Sequence, residues 1–533
     1  MNESVSEPLD EAAVAALGRG LDHVQTHLSH VFLASERVYK LRKAVDFGFV
    51  SFATRAERNA DCVREVVLNR RLAPDVYLGV APVEGSGGAA RLGALRPVRP
   101  GEILDPSREH CVVMRRLPAA RDALSLLSNG RLGADALDRL AITIARFHEA
   151  NRLGRPAPFE REAWLERIRG PVEANFDTLA TRTEIVSGEE VERTRRTSRR
   201  AFERLGDTFD ARRVAGRVVD AHGDLHLQHV FFEQDDSQPL LIDCLEFSDE
   251  LRRIDAASEV AFLAMDLRYR RRRDLAESFL AAYARESDDF DLYRVVDFFT
   301  SYRAGVRAKV AALAATGSEI DAAQRSRAAE SARSHFTLAR EALDEAPRGA
   351  LVVVCGSVGT GKSSAARIAS GTLGGATIAS DRVRKRLAGL APTARTRGAE
   401  QERLYAAETT ESVYVALLER AAPVVASGRA AILDATFSRR RHRGAALAFA
   451  RERGLATLLV EVRCDAEVAR ERLARRAAQG ADPSDAGPER LAASLASFEP
   501  TSECAAGEKL VVETDREGWE ARLADALRRR FGA

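Results

Sequence analysis

Lysine is almost missing from this chain of 533 residues: Lys40, Lys43, Lys309, Lys362, Lys385 and Lys509 are the only ones, although Lys and Arg together number 81. Arginine is the default cation, so each remaining lysine marks a place where a compact ammonium is required. Cysteine is scarce as well, and the 6 present (Cys62, Cys111, Cys244, Cys355, Cys464, Cys504) never form C-x-x-C. That scatter excludes a disulfide framework and the usual zinc ribbons, leaving reduced, core-filling thiols. An excess of one charge is absent too, the formal net charge being +2. The global basic field that draws a protein to nucleic acid is therefore lacking, while local patches stay open. No uncharged run approaches the roughly 18 residues of a membrane span. The acidic opening MNESVSEPLDEAA holds no signal-peptide core. The expectation is a soluble, cytoplasmic protein without membrane attachment, its length allowing two large domains or about three.

What is present begins with LVVVCGSVGTGKSS. Gly356, Ser357, Val358, Gly359, Thr360, Gly361, Lys362, Ser363 and Ser364 follow an apolar β-branched run, lead into a helix-compatible stretch and fit G-x-x-x-x-G-K-[ST]. Glycines let such a loop curl so that successive N–H groups and the following helix N-terminus point at phosphates. The motif predicts ATP binding, with Lys362 on the outer phosphates and the Ser363 hydroxyl on Mg²⁺.

Upstream, THLSHVFLAS and RVYKLRKAV read as a hairpin joined at Ser35-Glu36, with Lys40 in its second strand. Thr54 and Glu57 form a capping box for a helix through about Leu72 that contains Glu65. A strand lysine paired to a helix glutamate is how kinase-like folds hold ATP phosphates. CVVMRRLP, from Cys111 to Pro118, reads as a strand entering a hinge. Gly133 to Asn151 carries apolar residues at helical spacing and reads as a core helix, with His148 on it.

Between Val218 and Leu263 the residues become more specific. His222-Gly223-Asp224, followed by Leu241-Ile242-Asp243, resembles the aminoglycoside phosphotransferase-like branch of the protein-kinase-like superfamily. The resemblance covers roughly residues 20 to 340 and extends to Asp255. It implies a two-lobed α+β fold, an acceptor-positioning or proton-accepting role for Asp224, and a Mg²⁺-holding role for Asp243. Where that family usually places an asparagine metal ligand, five residues after the catalytic aspartate, this chain has His229. A competing reading takes His222, His226 and His229, and the similarly spaced His23, His27 and His30, as transition-metal ligands. The run RYRRRR, Arg268 to Arg273, is open to two readings: a solvated helix face, or a site for phosphates or an acidic partner.

After Pro347-Arg348-Gly349 strand-like and helix-like segments alternate, LVVVC, ATIAS, AAILD, TLLVEV and KLVVE being the strands. This is the pattern of a doubly wound parallel sheet with ligand at the strand C-terminal ends. Asp381 follows the second strand, with Arg384 and Lys385 beyond it, and Asp434 ends the third. With the phosphate loop these resemble the small P-loop kinases related to polynucleotide kinase, gluconate kinase and zeta-type toxins. The resemblance implies that Asp381 engages an acceptor hydroxyl, that Arg384 steadies acceptor or phosphate, and that arginines near 470–476, here Arg472 and Arg476, close over the transferring phosphate. Asp434 is placed to organise the Mg²⁺ shell. Residues 479 to 488, QGADPSDAGP, read as a loop beside that lid.

The sequence thus predicts a kinase-like domain over 1–346 and a P-loop NTPase/kinase domain over 347–533, using ATP and Mg²⁺ to phosphorylate a small hydroxylated molecule. Two rivals stand beside it. In one, the N-terminal half is a degenerate kinase that only senses ligand. In the other, the acceptor is a nucleic-acid 5′-hydroxyl, which near-neutral charge and the lack of an aromatic stacking platform disfavour.

Overall fold

In the strand His110–Arg115, Val112 faces one apolar cluster while Cys111 and Val113 face another. That period of two lets one sheet bury both of its faces. The computed structural model describes residues 9–46, 51–317, 321–344, 348–392, 394–396, 398–479, 487–504 and 507–532. By contacts the chain divides into two compact units, Met1–Arg167 with Asp210–Asp266, and Ile168–Phe209 with Leu267–Ala533.

The first unit is built on β1 (Asp22–Gln25), β2 (Ser29–Leu33), β3 (Arg37–Arg42), β4 (Tyr77–Glu84), β5 (Arg91–Leu92) and β6 (His110–Arg115). They form a six-stranded antiparallel sheet in the order β1-β2-β3-β6-β4-β5. The expected hairpin is β2–β3, to which β1 adds an edge. The Arg55–Asn69 helix packs Cys62, Val63 and Val66 against Tyr77, Val80 and Val112. Its capping box forms as read: the Thr54 hydroxyl accepts from the Glu57 N–H (3.2 Å) and the Glu57 carboxylate from the Thr54 N–H (2.8 Å). Downstream, β7 (Val218–Asp220) pairs with β10 (Arg253–Asp255), and β8 (Val230–Phe231) with β9 (Leu240–Leu241). These short pairs hold Asp224 between β7 and β8 and put Asp243 just after β9.

In the second unit β11 (Ala350–Cys355), β12 (Ala376–Ala379), β13 (Ala430–Asp434), β14 (Ala456–Arg463) and β15 (Lys509–Glu513) form a parallel sheet in the order β12-β13-β11-β14-β15. All five strands fall where the sequence placed them. The Lys362–Leu373 and Trp519–Phe531 helices cover one face through Ala365, Ala369, Leu523 and Leu527. The Ala407–Ala426 and Arg440–Glu452 helices lie against the strands as well.

The sequence boundary at 346/347 lies among residues outside those described. By contacts the helices beyond Leu267 group with the parallel sheet, and buried ions account for it. Arg429, just before β13, donates to Glu277 (2.6 and 3.1 Å) and to Asp297 (2.8 and 3.0 Å). Arg420 meets Asp288 at 2.6 and 2.8 Å, and Arg382 meets Glu286 at 2.7 Å. Arg386 donates to the Glu286 carbonyl. One residue of the arginine tract joins this network, Arg268 turning toward Asp297 (3.4 Å), while Arg272 pairs locally with Asp274 (2.7 Å), so the tract is not one uniform basic face.

Candidate functional sites

Parallel pairing sets the strand ends of the second unit side by side. Val354 lies opposite Asp434 and Asp434 opposite Ala379, so the phosphate loop, Asp434 and the helix carrying Asp381 share one edge of the sheet. Gly356 (φ 147°) runs so close to β14 that a Cβ would stand 2.3 Å from the Val462 carbonyl oxygen. Gly361 (φ 93°) is the left-handed cap of the Lys362–Leu373 helix, where an L side chain would be strained. Lys362 Nζ donates to the Ser357 carbonyl within its own loop at 2.8 Å. Burial lowers the Lys362 ammonium from its ordinary value, against the opposing pull of Asp434 and Asp381. The Ser363 hydroxyl donates to Asp434 Oδ2 at 2.8 Å. A hydroxyl and a carboxylate in contact are oxygen donors of the kind Mg²⁺ takes alongside phosphate, so this pair fits the ion.

Lys362, Ser363, Asp434, Asp381, Arg384 and Arg476 line one cavity of about 980 Å³. Asp381 sits in the first turn of the Ser380–Leu387 helix, but the cap residue is Ala379 and no side chain caps that end. Its carboxylate instead accepts from the Tyr405 hydroxyl at 3.5 Å. The Arg384 guanidinium lies 4.6 Å over the Tyr405 ring and Arg490 is also 4.6 Å from it. Arg384 is buried and donates to the Leu404 carbonyl (2.6 Å) and Thr410 (3.2 Å). Arg472 is held by Thr514, through Oγ1 at 2.8 Å and the carbonyl at 2.9 Å, beside Gly361. Arg470 pairs on the surface with Glu467. Of the loop beside this lid, residues 480–486 lie outside those described.

A second site belongs to the first unit. Lys40, Asp224, His229 and Asp243 line a cavity of about 670 Å³. Lys40 Nζ reaches Glu65 at 2.9 Å and Asp243 at 2.6 Å, which joins the strand lysine, helix glutamate and strand-end aspartate read from sequence. Burial would lower the Lys40 ammonium, but Asp243 and Glu65 outweigh it and raise it well above its ordinary range. Enclosure would raise the Asp224 carboxyl, and the histidines His226 and His229 outweigh it and hold it low. Sequence reasoning missed Arg42, whose buried guanidinium meets Asp61 and Glu65 at 2.6 Å and also Glu246. Burial, ahead of the attraction of Arg42, pushes Glu246 up to about 8. The only signal for Arg42 was its position two residues after Lys40 on the same face of β3.

The transition-metal reading is corrected in part. Both ring nitrogens of His222 are engaged, Nε2 with the Ile242 carbonyl (2.9 Å) and Nδ1 with the Asp224 N–H (3.3 Å), so it is no ligand. His23 and His30 meet at 3.1 Å, and no third ligand-type side chain gathers with them among the described residues. Asp224, His226 and His229 do converge. Two imidazoles are a poor match to hard Mg²⁺, so the first unit does not fit the ion that the resemblance implied.

Residues 49–299 match the family described as Phosphotransferase enzyme family, and residues 351–501 the one described as AAA domain. An uncharacterized protein of Mycobacterium tuberculosis is 33% identical over 465 residues, covering 87% of each chain, and one from Mycobacterium bovis gives the same figures. Among solved structures, a gluconokinase from Sinorhizobium meliloti 1021 is 18% identical with a TM-score of 0.24, over 34% of this chain and 91% of its own. The amicoumacin kinase hAmiN is 10% identical with a TM-score of 0.37, over 61% and 91%. Among the described residues no helix is long and apolar enough to cross a membrane.

Proposed function

We propose, for a chain that belongs with its mycobacterial relatives to a family joining a phosphotransferase unit to an AAA-type P-loop unit, that the P-loop site transfers the γ-phosphate of ATP to a hydroxyl of a small molecule. The observation that carries this reading is the shared cavity, which Asp381 lines together with Lys362 and Ser363 of the phosphate loop. Nucleotide binding needs the loop amides and Lys362 but not Asp381, whose carboxylate is left for an acceptor.

Loop N–H groups and Lys362 would hold the phosphates, exchanging the Ser357 carbonyl for phosphate oxygens. Ser363 and Asp434 would hold Mg²⁺, which supplies positive charge to the phosphate oxygens. Asp381 orients the acceptor hydroxyl and takes its proton as the new O–P bond forms and the bond to the ADP oxygen breaks. Tyr405 fixes the Asp381 carboxylate, and Arg384, held by Leu404 and Thr410, stiffens the acceptor wall. Arg476 and Arg472 add positive charge near the loop, where it stabilises the transferring group. The first unit, through Lys40, Glu65 and Asp243, is a second ATP-binding unit. Its histidines favour a sensing role over transfer.

Screening hydroxylated metabolites and 5′-hydroxyl oligonucleotides for ATP-dependent phosphorylation tests the reading. Label on a small hydroxylated compound is the expected result. Label on the oligonucleotide alone would replace the acceptor class, and ATP hydrolysis with no acceptor labelled would refute transfer.

A further inference from the structure

The imidazole of His229 is oriented by its own chain. Nδ1 lies 3.0 Å from the Asp224 carbonyl oxygen, which can only accept, so Nδ1 carries a proton and the neutral ring keeps its lone pair on Nε2. That lone pair faces Asp243 Oδ2 at 3.6 Å. Two electron-rich atoms face each other with no hydrogen to share, an arrangement that a cation between them turns from repulsive to binding. The separation is close to the span of two ligands each about 2.1 Å from a tetrahedral ion. The other Asp243 oxygen is taken by Lys40 at 2.6 Å, so this aspartate offers one ligand atom.

A second pair lies beside the first. His226 Nε2 stands 3.6 Å from Asp224 Oδ2, and the rings of His226 and His229 are 3.9 Å apart. Ligand atoms of Asp224, His226 and His229 all fall within 4.8 Å of one another. His226 is buried and packs its ring toward Phe262, with centroids 6.0 Å apart, so the set is built into the fold and is not a chance meeting of surface groups. Two imidazole nitrogens with one carboxylate oxygen suit borderline divalent ions and not hard Mg²⁺.

We propose that Asp224, His226 and His229 bind one borderline divalent transition-metal ion, of the Zn²⁺ and Co²⁺ class, without nucleotide, with Asp243 beside His229. The proposal deepens the sensing role given to the first unit, since the ion would claim the Asp224 carboxylate that transfer requires for an acceptor hydroxyl. Its test reads metal alone, so failure of ATP binding would leave it intact.

The full chain, stripped with chelator and free of nucleotide, is titrated with Zn²⁺ and with Mg²⁺ against a chromophoric competitor, and with Co²⁺ by visible absorption. One Zn²⁺ per chain should bind at concentrations about a hundredfold or more below those at which Mg²⁺ binds, and Co²⁺ should give the intense visible bands of a four-coordinate site. His226→Ala and His229→Asn should each weaken Zn²⁺ by about tenfold or more, while His30→Ala, at the exposed pair, changes nothing. Asp224→Asn, close in shape, serves if the histidine variants fail to fold. Equal affinity for Zn²⁺ and Mg²⁺, unchanged Zn²⁺ affinity in a folded His229→Asn chain, or loss of the site in His30→Ala would each overturn the proposal.

Discussion

Replacing Asp381 by asparagine separates a carboxylate that receives a proton from one that only serves the helix. The helix role is small here: Ala379 is the cap, no side chain caps that end, and Asp381 contributes only a negative charge in the first turn. Such a charge is worth about 0.3–1 kcal/mol, and losing it should lower the melting temperature by no more than ~4 °C. A domain stable by roughly 5–15 kcal/mol stays folded through that loss, so stability alone leaves transfer unchanged. Losing the proton acceptor is a larger effect, about a hundredfold or more in rate, which corresponds to ~2.7 kcal/mol of barrier. Asparagine can still accept from the Tyr405 hydroxyl, so the wall of the cavity keeps its shape. ATP affinity by calorimetry, melting by circular dichroism, and transfer to the acceptor found by screening are measured together. Transfer within about threefold of the wild type, with the protein folded and ATP bound, would refute the role of Asp381.

Three further outcomes are expected. Lys362→Ala in the full chain should reduce ATP stoichiometry in a titration from two sites to one, the lost site weakened by about 1.5–3 kcal/mol or more from the missing charge-assisted bonds. Arg429→Met takes the cation from Glu277, leaves Asp297 only the more distant Arg268, and should destabilise the second unit by about 3–5 kcal/mol in denaturant unfolding. Burial would raise the Asp297 carboxyl, but Arg429 outweighs it and holds it low. Its stability contribution is therefore full above the unfolded value near pH ~4 and is lost as pH falls through the folded one, so melting curves of wild type and Arg429→Met should converge in acid. Thr54→Ala removes the acceptor for the Glu57 N–H and should cost about 1 kcal/mol, read as a shift in the denaturant midpoint with unchanged slope.

What could be read from the sequence was local or tied to a motif. The phosphate loop, Ser363 and the five parallel strands depend on residues a few positions apart, and spacing alone fixed them. Lys40, Glu65 and Asp243 are far apart in sequence, yet each sits in a recognisable pattern, and the fold brings them together. Tyr405 and Arg490 line the Asp381 side of the P-loop cavity from helical turns that carry no motif, and only packing reveals them. Nor does composition tell which arginine of a set meets an acid. Arg429 and Arg42 are buried at the centre of ionic clusters, whereas Arg470 lies on the surface, and beyond the position of Arg42 two residues after Lys40 nothing in their immediate neighbours distinguishes them.

The arginines that join the parallel sheet to the preceding helices bear on the history of the gene. Arg382, Arg386, Arg420 and Arg429 find their partners at Glu286, Asp288, Glu277 and Asp297, all upstream of the motif-based boundary. A reading frame divided at that boundary would release a P-loop half with four guanidiniums stripped of their counterparts. It would also release a phosphotransferase half exposing the buried Glu277 and three partly buried acids. Fission is therefore penalised by the fold itself, and the two halves of this sequence are expected to be inherited as one polypeptide.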